Sequence, residues 1–150
     1  MFCQPLRGWR QVRVRRQRTK IDWAMEVAEL LRTRYAAAEK VVLVCDNLNT
    51  HTRGAFYEAF EPALARAIVS RLEFCHTPKH GSWLNIAENE LSSMTRQCII
   101  GRRFGTIELL QTETTAWEHH TNDKQRGVDW QFQVEDARIK LRSVYPKILV

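Results

Sequence analysis

The stretch Val41-Val42-Leu43-Val44-Cys45-Asp46-Asn47-Leu48-Asn49-Thr50-His51 decides the fold class. Its first five residues are apolar, mostly β-branched and lack polar alternation. They read as a strand that is apolar on both faces, central in a sheet covered on both sides. The strand ends on a carboxylate, and in open α/β sheets ligands gather beyond the carboxyl ends of central strands. Asp46 there is partly withdrawn from water and needs a partner: a cation, an arginine or a helix N-terminus. The structural alternative is that Asp46 or Asn47 caps the turn into the next helix.

Upstream, the pattern predicts strands over 1–6 and 9–16 joined by a turn at Leu6-Arg7-Gly8, with Val12 and Val14 on one face and Arg13 and Arg15 on the other. A helix over 20–37 is opened by Thr19 and Asp22 at capping-box spacing and turns Trp23, Val27, Leu30, Leu31 and Tyr35 inward. Downstream, a helical region over 53–68 presents Phe56, Phe60, Leu64 and Ala67 to the core, with Pro62 as a break, and 71–75 form another strand. The polar loop from His76 to Gly81 enters a helix over 82–98, capped by Ser82, whose buried stripe is Leu84, Ala87, Leu91, Met94 and Cys98. Past Gly101 and Gly105, helices are expected over 107–121 (Ile107, Leu110, Thr114, Trp117) and 134–144 (Ala137, Leu141, Val144). The order β-β-α-β-α-β-α implies one α/β domain, a mixed sheet with helices on both faces, followed by a helical C-terminal extension. Trp83, Trp117 and Trp130 read as core residues, and His119-His120 as surface.

Composition bounds the function. The 150 residues are 44% hydrophobic and 27% charged, with six Gly and four Pro, which excludes disordered and collagenous classes. No apolar run approaches the ~18 residues of a membrane span, and charges from Arg7 onward exclude a secretory signal. Cys3, Cys45, Cys75 and Cys98 have no C-x-x-C spacing and read as reduced thiols of a cytoplasmic protein, not a disulfide framework or zinc site. The net charge of +6 is uneven: residues 1–20 carry seven basic groups and no acid, while the rest carry 16 basic and 17 acidic groups. Such a stretch is either a solvated strand face or a surface for polyanions, since clustered arginine releases counterions from a phosphate backbone. Arg13, Arg15 and Arg16 are its candidate nucleic-acid contacts.

A second acidic candidate lies in GSWLNIAENE, 81–90. Given the buried stripe of that helix, Glu88 and Glu90 fall on opposite flanks, and the wheel does not choose between them. One strand-end Asp and one helical Glu suit Mg²⁺ or Mn²⁺, which prefer hard oxygen ligands and keep several waters. Two such ions ~3.5–4 Å apart activate the attacking oxygen and stabilise the leaving one in phosphodiester chemistry. That arrangement usually takes three or more carboxylates.

The segments VVLVCDNLNTH (41–51), TPKHGSWLNIAENELSSMTRQCI (77–99) and DWQFQVEDARIKLRSVYP (129–146), with the flanking FCQPLRGWRQVRV and RTKIDWAMEVAELL, resemble the C-terminal part of mariner-related bacterial insertion-sequence transposases. These are DDE superfamily endonucleases, and the similarity covers nearly the whole chain. D-N-x-x-x-H alone is weak; joined to H-G-S-W-L-N-x-x-E about forty residues on, it is specific. The resemblance implies an RNase H-like mixed sheet flanked by helices, an acidic triad holding two Mg²⁺ or Mn²⁺ ions, and in-line attack on DNA phosphodiesters by water and then by a 3′-hydroxyl. It implies that Asp46 is the second acid of the triad and Glu88 the third. Asn47 and His51 are candidates to orient a water or the scissile phosphate, with turn or helix-cap roles as their alternatives. Asn85 is a candidate to steady Glu88, and Lys79 and His80 to contact DNA.

The departures are equally specific. The family's first Asp stands on a strand upstream of the one resembled by Met1–Gln4, and Asp22, at a helix start, matches no triad position. The family's helix-turn-helix region has no counterpart either. The chain therefore reads as a partial RNase H-like catalytic domain over 1–100, lacking the first strand, with 101–150 as a helical extension of the same domain. The expectation is a fragment unable to transpose by itself, marginally stable or self-associating through the edge beside the strand 41–45. The alternative function is a non-catalytic DNA-binding or dimerisation module that modulates a full-length transposase.

Overall fold

Pro5 and Gly8 set the first reversal of the chain. A 3₁₀ turn, Pro5–Arg7, joins β1 (Phe2–Gln4) to β2 (Trp9–Gln11), an antiparallel pair with Cys3 opposite Arg10. Gly8 takes φ +61°, and a Cβ there would meet the carbonyl carbon of Gln125 at 2.5 Å. Gly127 reciprocates, since its Cβ would stand 2.9 Å from the Leu6 oxygen, and Val128 N–H donates to Pro5 O at 2.9 Å. Turn and loop thus interlock through two positions that admit no side chain. The computed structural model describes residues 1–78, 84–140 and 142.

Two compact units make up the chain, one comprising Met1–Val14 with Lys79–Val150 and the other Arg15–Pro78. In the first, the hairpin is accompanied by α4 (Ile86–Met94), which continues into a π-helical turn (Thr95–Ile99), by α5 (Ile107–Asp123) and by α6 (Val134–Lys140). Its core joins Val12, Met94, Cys98 and Trp117. The expected strand over 9–16 ends at Gln11, because the following backbone is bonded by side chains of α5 instead of by a strand. Asn122 accepts from Arg10 N (2.9 Å) and donates to Arg10 O (2.8 Å). Glu118 accepts from Val12 N and Gln111 from Val14 N, each at 2.7 Å. Residues 111, 118 and 122 share a helix face, and 10, 12 and 14 present their amides along one edge, so the two periods mesh.

The second unit begins with α1 (Lys20–Arg32), opened by the expected capping box: Thr19 Oγ1 accepts from Asp22 N at 3.0 Å, and Asp22 Oδ2 accepts from Thr19 N at 3.1 Å. Such a cap contributes about 1 kcal/mol. The helix stops five residues short of the expected 37. Arg71 holds the turn that follows by donating to the carbonyls of Tyr35 (2.5 Å) and Ala38 (2.8 Å). β3 (Val41–Cys45) and β4 (Leu72–His76) run parallel, Val41 opposite Leu72, and are joined through α2 (Gly54–Ala59) and α3 (Pro62–Ser70). Pro62 divides that helical stretch, as its missing N–H requires. Ala24, Val27, Leu30, Leu31, Ala55, Phe56, Ala65 and Leu72 are buried, and Trp23 meets Phe56 edge-on at 5.3 Å.

The fold is mixed α/β, but its four described strands form two separate pairs and not one mixed sheet. β3 is not covered on both faces: Val42 and Val44 are 57% and 56% exposed, and among the described residues β3 pairs with β4 alone. In α3 the inward residue is Ala65, whereas Leu64 and Ala67 are exposed, because the restart at Pro62 shifts the phase. Leu91 and Trp130 are exposed as well, contrary to their reading as core, and Trp130 has Phe132 edge-on at 6.3 Å. Trp117 is in the core as expected. Ser82, Trp83, Leu141 and Val144 lie outside the described residues. No described helix is long and apolar enough to cross a membrane.

Candidate functional site

Asp46 follows directly on β3, and the next five residues fold back on it. A turn in which His51 N donates to Leu48 O (3.0 Å) returns the imidazole, whose Nδ1 lies 2.5 Å from Asp46 Oδ1. Trp23 backs that ring at 5.0 Å between centroids. The D-N-x-x-x-H spacing therefore closes a carboxylate–imidazole pair that engages one carboxylate oxygen, the other having no partner among the described residues. His51 does not cap α2, which starts after Arg53 with no side-chain cap. Asn47 is exposed. On the inner side of Asp46, burial, and then the neighbouring Asp46 charge, push the Cys45 thiol up to about 11. All four cysteines are free.

Glu88 lies in the first turn of α4, in the other unit; it is exposed, and its carboxylate makes no hydrogen bond or ion pair with the described residues. Asn85 caps this helix: its side chain accepts from Ala87 N at 3.2 Å, and its carbonyl accepts from Glu88 N at 3.0 Å. Asn85 thus fixes the backbone that carries Glu88 and does not touch the carboxylate. Glu90 has a different fate. Arg10, 2% exposed, places Nε 2.9 Å from its Oε2 and donates from Nη2 to its Oε1 at 3.1 Å. The same guanidinium donates to the carbonyls of Gly8 (3.1 Å), Thr121 (3.3 Å) and Arg126 (3.1 Å). The two acids that the helical wheel left equivalent thus differ in surroundings: Glu90 pairs with buried Arg10, and Glu88 is exposed. Arg10 was read only as part of the basic stretch. Its place two residues before Val12 and four before Val14, on their inward face, was the signal of its burial.

The basic stretch is not uniform. Arg13 and Arg16 are exposed, whereas Arg15 donates from both Nε and Nη2 to Glu26 Oε1 and lies 3.8 Å from Asp22, so its charge is already paired. Lys79 and His80 lie outside the described residues. Hydrogen bonds from Thr19, followed by the charge of Arg15, hold the Asp22 carboxyl below the usual carboxylate range. As potential holders of a hard divalent cation, Asp46 and Glu88 qualify chemically, each keeping carboxylate oxygen that no described residue engages. Among the described residues, no group of three or more His, Cys, Asp or Glu side chains gathers into a metal cluster.

The sequence model of one family, described as DDE superfamily endonuclease, matches residues 1–111. The match spans both strand pairs and includes Asp46 and Glu88. Comparison with curated proteins and with solved structures gives no match.

Proposed function

Because the chain belongs to the DDE superfamily endonuclease family, we propose that it is a catalytic-domain portion of a mariner-related insertion-sequence transposase, acting on DNA, with Asp46 and Glu88 as the second and third acids of a divalent-cation site. The observation that carries this reading is the Asp46–His51 pair closed by the D-N-x-x-x-H turn at the end of β3, inside the stretch that the family model matches. Asp22, Glu26 and Glu90 are each paired with a hydroxyl or an arginine, whereas the Glu88 carboxylate and the second oxygen of Asp46 have no partner among the described residues. Bound Mg²⁺ or Mn²⁺ would supply Lewis-acid activation of water and of the leaving oxygen. The chain's own residues do the positioning. His51 holds one oxygen of Asp46 and so orients the other, Trp23 limits the imidazole's freedom, and Asn85 fixes the helical turn that presents Glu88. In this proposal 1–100 form the RNase H-like catalytic part and 101–150 its helical extension. Two carboxylates fall short of a triad, so these residues alone bind cation and DNA without turnover.

Mn²⁺ titration followed by ¹⁵N–¹H NMR tests the reading. Paramagnetic broadening at about millimolar Mn²⁺ is expected around residues 46 and 88. It should be lost in Asp46→Asn and Glu88→Gln and kept in Glu90→Gln. Broadening that spares both residues, or that persists in Asp46→Asn, refutes it. A second reading, a non-catalytic DNA-binding module, is favoured by the exposure of Arg13 and Arg16. It requires salt-sensitive DNA binding that survives Asp46→Asn and falls in the Arg13→Gln/Arg16→Gln double variant.

A further inference from the structure

A polar pocket of about 420 Å³ opens in the first unit, lined by Ser93, Gln97, His120, Lys124, Arg126 and the Arg10–Glu90 pair. The one carboxylate in its wall and two of its carbonyls are already engaged by an arginine. Arg10 takes up the Glu90 carboxylate and the carbonyls of Thr121 and Arg126. The remaining polar groups form a relay with a fixed direction. The indole of Trp117, which can only donate, gives its Nε1–H to Gln97 Oε1 at 2.8 Å. The amide is thereby oriented, and its Nε2 donates to Ser93 Oγ at 3.3 Å. The Ser93 hydroxyl proton and the second amide hydrogen are left without a described acceptor. Lys124 and Arg126 add two exposed cations that have no ion-pair partner among the described residues.

Such a wall offers hydrogens and positive charge beside one carboxylate, Glu90, whose charge Arg10 already balances. A cationic or apolar ligand would leave these donors unmet, whereas a tetrahedral oxyanion satisfies several at once through charge-assisted bonds. The volume lies within the usual range of ligand pockets. We propose that this pocket is a phosphate site, and that the phosphate is one carried in the backbone of a nucleic-acid strand, since exposed Lys124, Arg126 and His120 leave the anion room to remain part of a polymer. On α4, Glu88 lies about 200° around the helix from Glu90, so the site is on another side of the helix from the open carboxylate. It stands whether or not Asp46 and Glu88 hold a cation.

The test compares the intact chain with Lys124→Gln/Arg126→Gln and with a charge-matched control, Lys40→Gln/Arg66→Gln, in the other unit. Inorganic phosphate should shift the amides of 93–97 and 120–128 in the wild type and in the control, and not in the pocket variant. In anisotropy titrations with single-stranded DNA the pocket variant should bind about tenfold more weakly than the control, with a log–log salt slope shallower by about one. Absence of phosphate-induced shifts in the wild type overturns the site. Phosphate shifts without any difference in DNA affinity between the two variants overturn the nucleic-acid source and leave a site for a free anion.

Discussion

Replacing Glu90 by Gln should damage this protein far more than replacing Glu88, although the two stand two residues apart on one helix. The side chain of Arg10 is 2% exposed and that of Glu90 15%, so water screens the pair only from the pocket side. Removing one partner from a buried pair typically costs 3–5 kcal/mol, because the other charge stays behind. Three backbone carbonyls still accept from Arg10 in the variant, which places the expected loss near the lower end, about 3 kcal/mol. For a chain of this size that is a fall in Tm of roughly 6–12 °C. Glu88→Gln, at an exposed site whose carboxylate has no partner among the described residues, should stay within about 0.5 kcal/mol of the parent. Arg10→Met/Glu90→Leu should recover only part of the loss, since the carbonyls of Gly8, Thr121 and Arg126 then lack their donor. Urea denaturation of the four proteins gives the numbers. Equal midpoints for Glu90→Gln and Glu88→Gln would refute the claim that the interior depends on this pair.

Three further outcomes are expected. Gly8→Ala should cost more than 2 kcal/mol by denaturant midpoint, combining left-handed strain with backbone overlap, whereas Gly101→Ala, at φ +74° in open space, should cost only about 1 kcal/mol. Burial, reinforced by Glu90 for Cys3 and by Asp46 for Cys45, raises both thiols from the usual 9.0 to about 11. A raised folded value favours the protonated form, so the stability linked to it is complete below pH 9 and is lost as pH climbs through 11; a Cys3→Ala/Cys45→Ala variant should flatten that fall in urea midpoints. Val42→Thr/Val44→Lys should reduce any concentration-dependent association seen by sedimentation, because it puts a hydroxyl and a charge on the exposed face of β3; unchanged association would clear that face of the role.

Local signals were the legible ones. Thr19 with Asp22, Pro62 and the β-branched run 41–45 specify cap, break and strand through short-range sterics and hydrogen bonding, and each lies where its pattern placed it. The burial of β3 was not legible, because an apolar run states what a strand would tolerate on each face and not what is present to cover it. The end of β2 was equally hidden: Gln111, Glu118 and Asn122 read as a polar helix face, and only in three dimensions do they act as backbone partners. Asp46 was legible as a functional candidate from its position at a strand end. The status of Glu88 against Glu90 depended on Arg10, some eighty residues away, a pairing that no window of sequence contains.

The clasp of α5 on the N-terminal chain has a consequence for biosynthesis. Arg10, Val12 and Val14 find their partners 112, 106 and 97 residues later. At about 5–20 residues per second on the ribosome, the hairpin waits on the order of 5–20 s before those side chains exist. For that interval its outer amides and carbonyls are answered only by water or by whatever nascent-chain chaperone is at hand, and the first strands made are among the last to be locked.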